Sequence, residues 1–317
     1  MVEKIIRAEQ HIRSFIRETP LEHSPALSTD RGQVYLKLEN YQHTGSFKVR
    51  GAFNKLLSLS DKEKAKSIVT ASTGNHGAAV AYALKALGHK GIIFVPEIAS
   101  KTKVAKIQRS GAEVRYHGDD SILTENYARQ FALENNMTYV SPYNDEAVIA
   151  GQGTIAVEIE RQLEHVDNIL VALGGGGLIS GTASYLKHVY PNVKIMACSP
   201  QNSAVMMESV KAGRILDIPS LPTLSDATAG GVEANAITFE LCRDLIDEYV
   251  TVTEEEIKRA WREFLSAHSV MIEGAAALVV ACYQKIEAKL KGNTVLVICG
   301  ANVSLETLQK IVGKLEG

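Results

Sequence analysis

Four consecutive glycines, Gly174, Gly175, Gly176 and Gly177, stand between the apolar run Asn168 to Leu173 and a segment of helical period starting at Ile179. With no side chains in the way, their backbone N–H groups can close on an anion, and the positive end of a following helix favours it, so a phosphate suits this spacing. A close-packed strand-to-helix turn is the plainer alternative, although one glycine would serve for that. Gly175, Gly177 and Gly181 also loosely match a dinucleotide fingerprint. That fold places an acid at the end of the next strand to hold a ribose, whereas here Lys194 to Cys198 runs into Ser199 and Pro200, which disfavours a nicotinamide cofactor. A second reactive group is Lys48, set among small and aromatic residues from Gly45 to Ala52, just ahead of the helical run Ala52 to Leu57. A lysine desolvated there would have a lowered pKa and could attack a carbonyl as a Schiff-base nucleophile. Taken alone, a solvated surface lysine is the commoner state.

The elements that must position these groups are readable from periodicity. Short apolar runs alternate with helical segments: Ser67 to Ala71 before Gly77 to Leu87, Gly91 to Val95 before Lys101 to Ser110, and Asn168 to Leu173 before Ile179 to Val189. Such alternation predicts βαβ units, a mainly parallel sheet under helices and an α/β class. A strand is expected over Thr294 to Ile298, and helices around Ala236 to Asp247 and Glu254 to Ser266. Functional loops lie beyond the carboxyl ends of parallel strands, where Ser72 to Gly77, Gly174 to Gly177 and Cys299 to Ser304 fall; together they outline one site.

At 317 residues with 45% hydrophobic composition, the chain can bury a substantial core and has room for two lobes. Lysine and arginine total 34 against 36 acidic residues, with no long basic run, so nucleic acid is not an expected partner. The amino-terminal stretch mixes charged and apolar residues at helical spacing, unlike a secretory signal, and no apolar run is long enough to span a bilayer, so a cytoplasmic protein is expected. Its four cysteines, Cys198, Cys242, Cys282 and Cys299, are widely spaced and should be free thiols.

Four motifs occur in order: Ser46-Phe47-Lys48-Val49-Arg50-Gly51-Ala52, Ser72-Thr73-Gly74-Asn75-His76-Gly77, Ala150-Gly151-Gln152-Gly153-Thr154, and the glycines 174 to 177. In these the chain closely resembles the threonine dehydratase and serine racemase family of pyridoxal-phosphate enzymes, over about Ile16 to Asn302. The resemblance implies the two-lobed fold of the tryptophan synthase β-subunit, with residues 1–48 and 145–317 as a large cofactor-binding domain and 49–144 as a small one carrying the substrate-carboxylate loop. It also implies pyridoxal 5'-phosphate on Lys48, with Phe47 packed on the ring and Gly174 to Gly177 on the phosphate. Asn75 would contact the ring hydroxyl. Ser72, Thr73, Asn75 and His76 would hold the substrate carboxylate, His76 having a structural role as its alternative. Cys299 falls where the family commonly has a serine facing the pyridine nitrogen; being a weak donor, it would not keep the ring firmly protonated, and a small buried hydrophobe is its alternative role.

The departures matter as much. Racemases of the family carry a serine where Thr73 stands, and threonine is stiffer at χ1, which counts against racemisation. Ser199 and Val205 replace the two carboxylates of metal-activated relatives, so no metal is expected there. Thr228 to Glu233 replaces an Ala-Asp-Gly-Val type of segment, and Glu273 matches a family glutamate near the cofactor. Leu224 to Glu233 with Ser199-Pro200 is similar to dehydratases associated with hydroxyectoine breakdown. No segment follows for the regulatory domain of biosynthetic threonine dehydratases, so isoleucine inhibition is not expected. The expected activity is elimination of the β-hydroxyl of a small 3-hydroxy amino acid, L-threonine or L-serine or a bulkier one, with Lys48 taking the Cα proton and the cofactor phosphate aiding departure. Alternatives are a serine or hydroxyaspartate racemase using Thr73, a dehydratase of a hydroxyectoine-derived amino acid, and a catalytically idle binding protein. A homodimer is expected.

Overall fold

The computed structural model describes residues 1–99, 101–119 and 121–313. Its strands are β1 (Leu21–His23), β2 (Val34–Leu38), β3 (Ile68–Ala71), β4 (Gly91–Val95), β5 (Glu113–Tyr116), β6 (Thr138–Tyr139), β7 (Asn168–Ala172), β8 (Lys194–Pro200), β9 (Glu248–Val252) and β10 (Thr294–Ile298). Helices in the first half are α1 (Val2–Ile12), α2 (Lys48–Leu57), α3 (Asp61–Lys64), α4 (Asn75–Leu87), α5 (Lys101–Gln108), α6 (Ser121–Glu134) and α7 (Glu146–Gln162). Those that follow are α8 (Gly177–Val189), α9 (Val205–Ala212), α10 (Thr238–Leu245), α11 (Glu254–His268), α12 (Gly274–Ile286) and α13 (Leu305–Val312).

Two sheets result. One has the order β1-β2-β10-β7-β8-β9, the other β5-β4-β3-β6. All their pairings are parallel except that of β1 with β2. Every residue of β7 and β10 is buried, which is why both read as continuous β-branched and apolar runs without alternation: helices cover both faces. Strands β2, β5, β6 and β9 lacked so plain a signature. Helices α4 and α8 begin two residues ahead of their expected starts, at Asn75 and Gly177, because their first turns are polar or glycine and belong to the site rather than the core. Among the described residues no helix is long and apolar enough to cross a membrane, and all four cysteines are buried free thiols.

Helix α2 is anchored by charge. Arg50, fully buried, donates from Nε and Nη2 to Glu39 at 2.7 and 2.8 Å and from Nη1 and Nη2 to Glu158 of α7, both at 2.8 Å. Lys37 of β2 adds a bond of 2.7 Å to Glu158, and the Thr19 hydroxyl one of 2.5 Å to Glu39. Burial alone would drive the Glu158 carboxylate toward the neutral form; Arg50 and Lys37 hold it ionised, its pKa well below the usual range. Breaking one partner of such a buried network typically costs about 3–5 kcal/mol, because the other charge is left unpaired. The network therefore fixes the helix whose first residue is Lys48.

Candidate active site

The loops after β3, β7 and β10 meet the start of α2 around one cavity of about 590 Å3. Phe47, Lys48, the loop 72–76, Gly174 to Gly177 and Cys299 all line it. The residues expected to contact the cofactor or the substrate are thus at one place.

Lys48 is half-buried, and its Nζ donates to the carbonyl of Pro142 at 2.8 Å while lying 5.3 Å from the Phe47 ring centroid. Burial pushes its pKa down to about 8, opposed by the charges of Glu125, Cys299 and Glu273. An appreciable fraction of amine is therefore unprotonated near neutral pH, as attack on a carbonyl requires.

On one side lie the glycines. Gly176, with φ of 87°, caps α8, and no side chain caps that helix. A Cβ on Gly175 would come within 2.5 Å of the Tyr143 ring, and one on Gly174 or Gly177 within 3.0 Å of Thr228 or Tyr143. Any larger residue would displace Tyr143 or Thr228 and close the cradle. The expected phosphate site thus has the uncapped N–H groups and the clearance that a phosphate needs.

Facing it, α4 also starts without a side-chain cap, after Gly74. Ser72 Oγ accepts from Gly74 N at 3.1 Å, bracing the turn. The Thr73 hydroxyl has no hydrogen-bond partner among the described residues and opens on the cavity. The His76 ring donates from Nε2 to the Val140 carbonyl at 3.1 Å, and burial with the nearby Lys48 charge lowers its pKa to about 3. His76 is consequently neutral, and its Nδ1 is buried without a partner. What this turn offers a carboxylate is backbone N–H and the hydroxyls of Ser72 and Thr73, with the imidazole in a bracing role.

The third wall is organised by Glu273. It accepts from Asn75 Nδ2, from the Asn302 backbone at 3.0 Å, and at 3.8 Å from the Cys299 thiol, whose own pKa burial raises well above the thiol range. Cys299 is therefore a protonated weak donor. Asn75 spends both ends of its amide within the wall, since Asn302 donates to its Oδ1 at 2.6 Å. Sequence reasoning missed Pro142, Tyr143 and Glu125. Asn302 fell inside a loop it did name, whereas Glu125 looks like any acid on an amphipathic helix.

A phosphorylated aromatic aldehyde fits these residues: an amine of lowered pKa, a glycine cradle at an uncapped helix, and an aromatic ring beside the amine. The comparisons point the same way. Residues 12–300 match the model of the pyridoxal-phosphate dependent enzyme family. The catabolic L-threonine dehydratase TdcB of Escherichia coli strain K12 is 37% identical over 98% of this chain and 96% of its own length. Among solved structures, maize serine racemase superposes with a TM-score of 0.91 at 29% identity, covering 98% of this chain and 96% of that one. Processed threonine deaminase isoform 2 of Solanum lycopersicum gives 0.92 at 30% identity, covering 98% and 86%. These similarities establish the tryptophan synthase β-like architecture expected from the sequence and the cofactor that goes with it. The chain belongs to the family of pyridoxal-phosphate dependent enzymes.

Proposed function

We propose that the chain is an ammonia-lyase that eliminates the β-hydroxyl of a small 3-hydroxy amino acid, L-threonine and L-serine being the reference substrates, to give a 2-oxo acid and ammonia. The observation that carries this reading is an asymmetry between Lys48 and the loop 72–76: Lys48 is an amine of lowered pKa, whereas His76 is tied to Val140 and, among the described residues, the Thr73 hydroxyl has no hydrogen-bond partner. A single base is what elimination requires.

Pyridoxal phosphate, when bound, supplies an electron-withdrawing ring that makes the Cα proton acidic. Lys48 would hold the cofactor's carbonyl carbon and, displaced by the substrate amine, take the Cα proton. The Pro142 carbonyl keeps its Nζ aimed into the cavity. Gly174 to Gly177 would hold the phosphate and Phe47 would flank the ring, which Asn75 and Cys299 would also contact. Ser72, Thr73 and the first N–H groups of α4 would hold the carboxylate and so set which Cα bond faces Lys48. Loss of the hydroxyl leaves an unsaturated amine that water hydrolyses.

The same reading divides the chain into lobes 1–48 with 145–317 and 49–144, consistent with the four-stranded sheet arising from residues 68–139 alone. It includes a homodimer acting in the cytoplasm, which sedimentation and cell fractionation test. A second reading, racemisation, rests on the open hydroxyl of Thr73. The deciding experiment is a screen of 3-hydroxy amino acids for 2-oxo acid release, with chiral analysis of the remaining substrate. Release of 2-oxo acid at a rate exceeding inversion supports elimination, and inversion without release would replace it.

A further inference from the structure

Beside the catalytic cavity lies a second one of about 220 Å3. Asp226, Glu273, Asn302, Val303 and Ser304 line both, whereas Trp261, Thr307 and Lys310 line the second and not the first. Trp261, on α11, is fully buried, and its indole Nε1 has no hydrogen-bond partner among the described residues. A buried donor without a partner carries a desolvation cost that an acceptor from outside the chain would remove.

Further donors stand at α13. Ser304 and Thr307 share one hydrogen bond of 2.9 Å between their hydroxyls, which uses one of the two O–H hydrogens and leaves the other to give. Lys310, one turn on, is exposed and has no ion pair among the described residues. The side away from the catalytic cavity therefore offers an indole N–H, a hydroxyl and an ammonium, a set that suits a carboxylate. The shared side is acidic. Asn75 and Asn302 engage Glu273, and Asp226 lies close enough for its charge to help raise the Glu273 pKa.

This polarity sorts the occupants. A plain anion would bring its charge toward Asp226, and a plain cation toward Lys310. A zwitterion meets both poles and adds no net charge to a partly buried wall. The volume is below the roughly 300 Å3 at which pockets for drug-sized ligands begin, so the occupant is small.

We propose that this second cavity binds a small amino acid in its zwitterionic form, apart from the catalytic site, with the carboxylate at Trp261, Thr307 and Lys310 and the ammonium at Asp226. Its occupant reaches the catalytic wall in two ways. An ammonium beside Asp226 offsets part of the charge that favours the Glu273 proton, and Asn302 ties Glu273 to Asn75. The inference is independent of which reaction the catalytic cavity performs.

The probe is N,N-dimethylglycine, a zwitterion whose tertiary amine cannot condense with the cofactor, added to the holoenzyme. Trp261 is the one tryptophan of the chain, so its emission reports on the cavity directly. A saturable change is expected. Calorimetry should give the probe an affinity about tenfold or more above that of acetate or trimethylammonium, each of which carries one pole. Lys310→Met should weaken the probe by about tenfold, and Trp261→Phe, read by calorimetry, by about fivefold, as loss of a charged and of a neutral hydrogen bond implies. Should Trp261→Phe fail to fold, Lys310→Met, at an exposed position, carries the comparison. Thr73→Val, in the turn proposed to hold the substrate carboxylate, should leave the probe's affinity unchanged. No saturable signal, acetate binding as tightly as the zwitterion, an affinity unmoved by Lys310→Met, or one lost in Thr73→Val overturns the proposal.

Discussion

Asn75, in the first turn of α4, donates its Nδ2 to both carboxylate oxygens of Glu273, at 2.9 and 3.0 Å. The bond joins the start of α4, which follows β3 of the four-stranded sheet, to the buried residue that precedes α12, which packs on the six-stranded sheet, and both residues line the cavity. Burial nevertheless prevails over these donors, and with Asp226 nearby it raises the Glu273 pKa to about 7. A carboxylate that favours its proton more in the folded than in the unfolded chain has a defined effect on stability.

That effect is the first prediction. Between the ordinary value of 4.5 and about 7 the folded protein binds more protons than the unfolded one, so stability from this group is full below 4.5 and declines as pH rises to 7. In cofactor-stripped protein, Glu273→Gln should flatten this decline, its stability relative to the unmodified protein rising by on the order of 2 kcal/mol from pH 5 to pH 8. Glu125 titrates in the same window, so the slope is reduced rather than abolished. Denaturant melts at the two pH values measure it, and parallel pH profiles would contradict the assignment.

Lys48→Ala should abolish 2-oxo acid release and the visible absorption of covalently held cofactor together. Among the described cavity-lining residues Lys48 is the one amine, so none of them can substitute in holding the carbonyl carbon. Borohydride reduction followed by mass spectrometry reads the attachment directly. A variant that still reduces to a stable adduct and turns over near-normally would place the reactive amine elsewhere.

How much of this was legible in the sequence follows from how local each feature is. Lys48, the Ser72 to His76 turn and the four glycines each sit in one short motif at the end of a strand or the start of a helix, where periodicity and backbone chemistry announce them. Arg50 and Glu158 pair across 108 positions, and each looks like a surface charge until the fold buries both. The same holds for the convergence of Asn75, Glu273 and Asn302, and for the Pro142 carbonyl on Lys48: backbone and side-chain contacts between distant segments leave no periodic trace. His76 shows the limit from the other side, since its motif suggested a ligand contact and only the packing shows its Nε2 spent on Val140.

Gly175→Ala should weaken cofactor affinity by about tenfold to a hundredfold, with only a modest change in the stability of the stripped protein. The added Cβ would fall 2.5 Å from the Tyr143 ring, and the ring cannot retreat without giving up the bond its hydroxyl accepts from Glu233 N at 2.9 Å. A shift of that kind in the wall of a phosphate cradle costs roughly the energy of one or two charged hydrogen bonds. Equilibrium dialysis of pyridoxal phosphate measures it.

Chelators should leave activity unchanged. Ser199 is buried on β8 with its hydroxyl directed at the Leu173 carbonyl, and Val205 is a buried aliphatic residue, so neither offers the oxygen ligands that a hard divalent cation takes. Turnover after dialysis against EDTA is the measurement, and loss that magnesium or calcium restores would show a metal site.

The choice between elimination and racemisation turns on Thr73. Racemisation needs a proton delivered to Cα from the face away from Lys48, by a group within about 3 Å of it. Thr73 lines the cavity, and among the described residues its hydroxyl has no hydrogen-bond partner. An unbonded alcohol has no base to restore its proton and no donor to stabilise the alkoxide that proton transfer would leave, so the absence of a partner is itself the handicap. Its methyl group restricts the hydroxyl to few rotamers besides. Elimination avoids both difficulties, since Lys48 takes the proton and the hydroxyl departs. Dehydration of L-serine should therefore exceed inversion by roughly tenfold or more, a barrier difference of about 1.4 kcal/mol. Thr73→Ser, which frees the rotor, should raise the inverting share. Formation of D-serine faster than pyruvate by the unmodified enzyme would reverse the assignment.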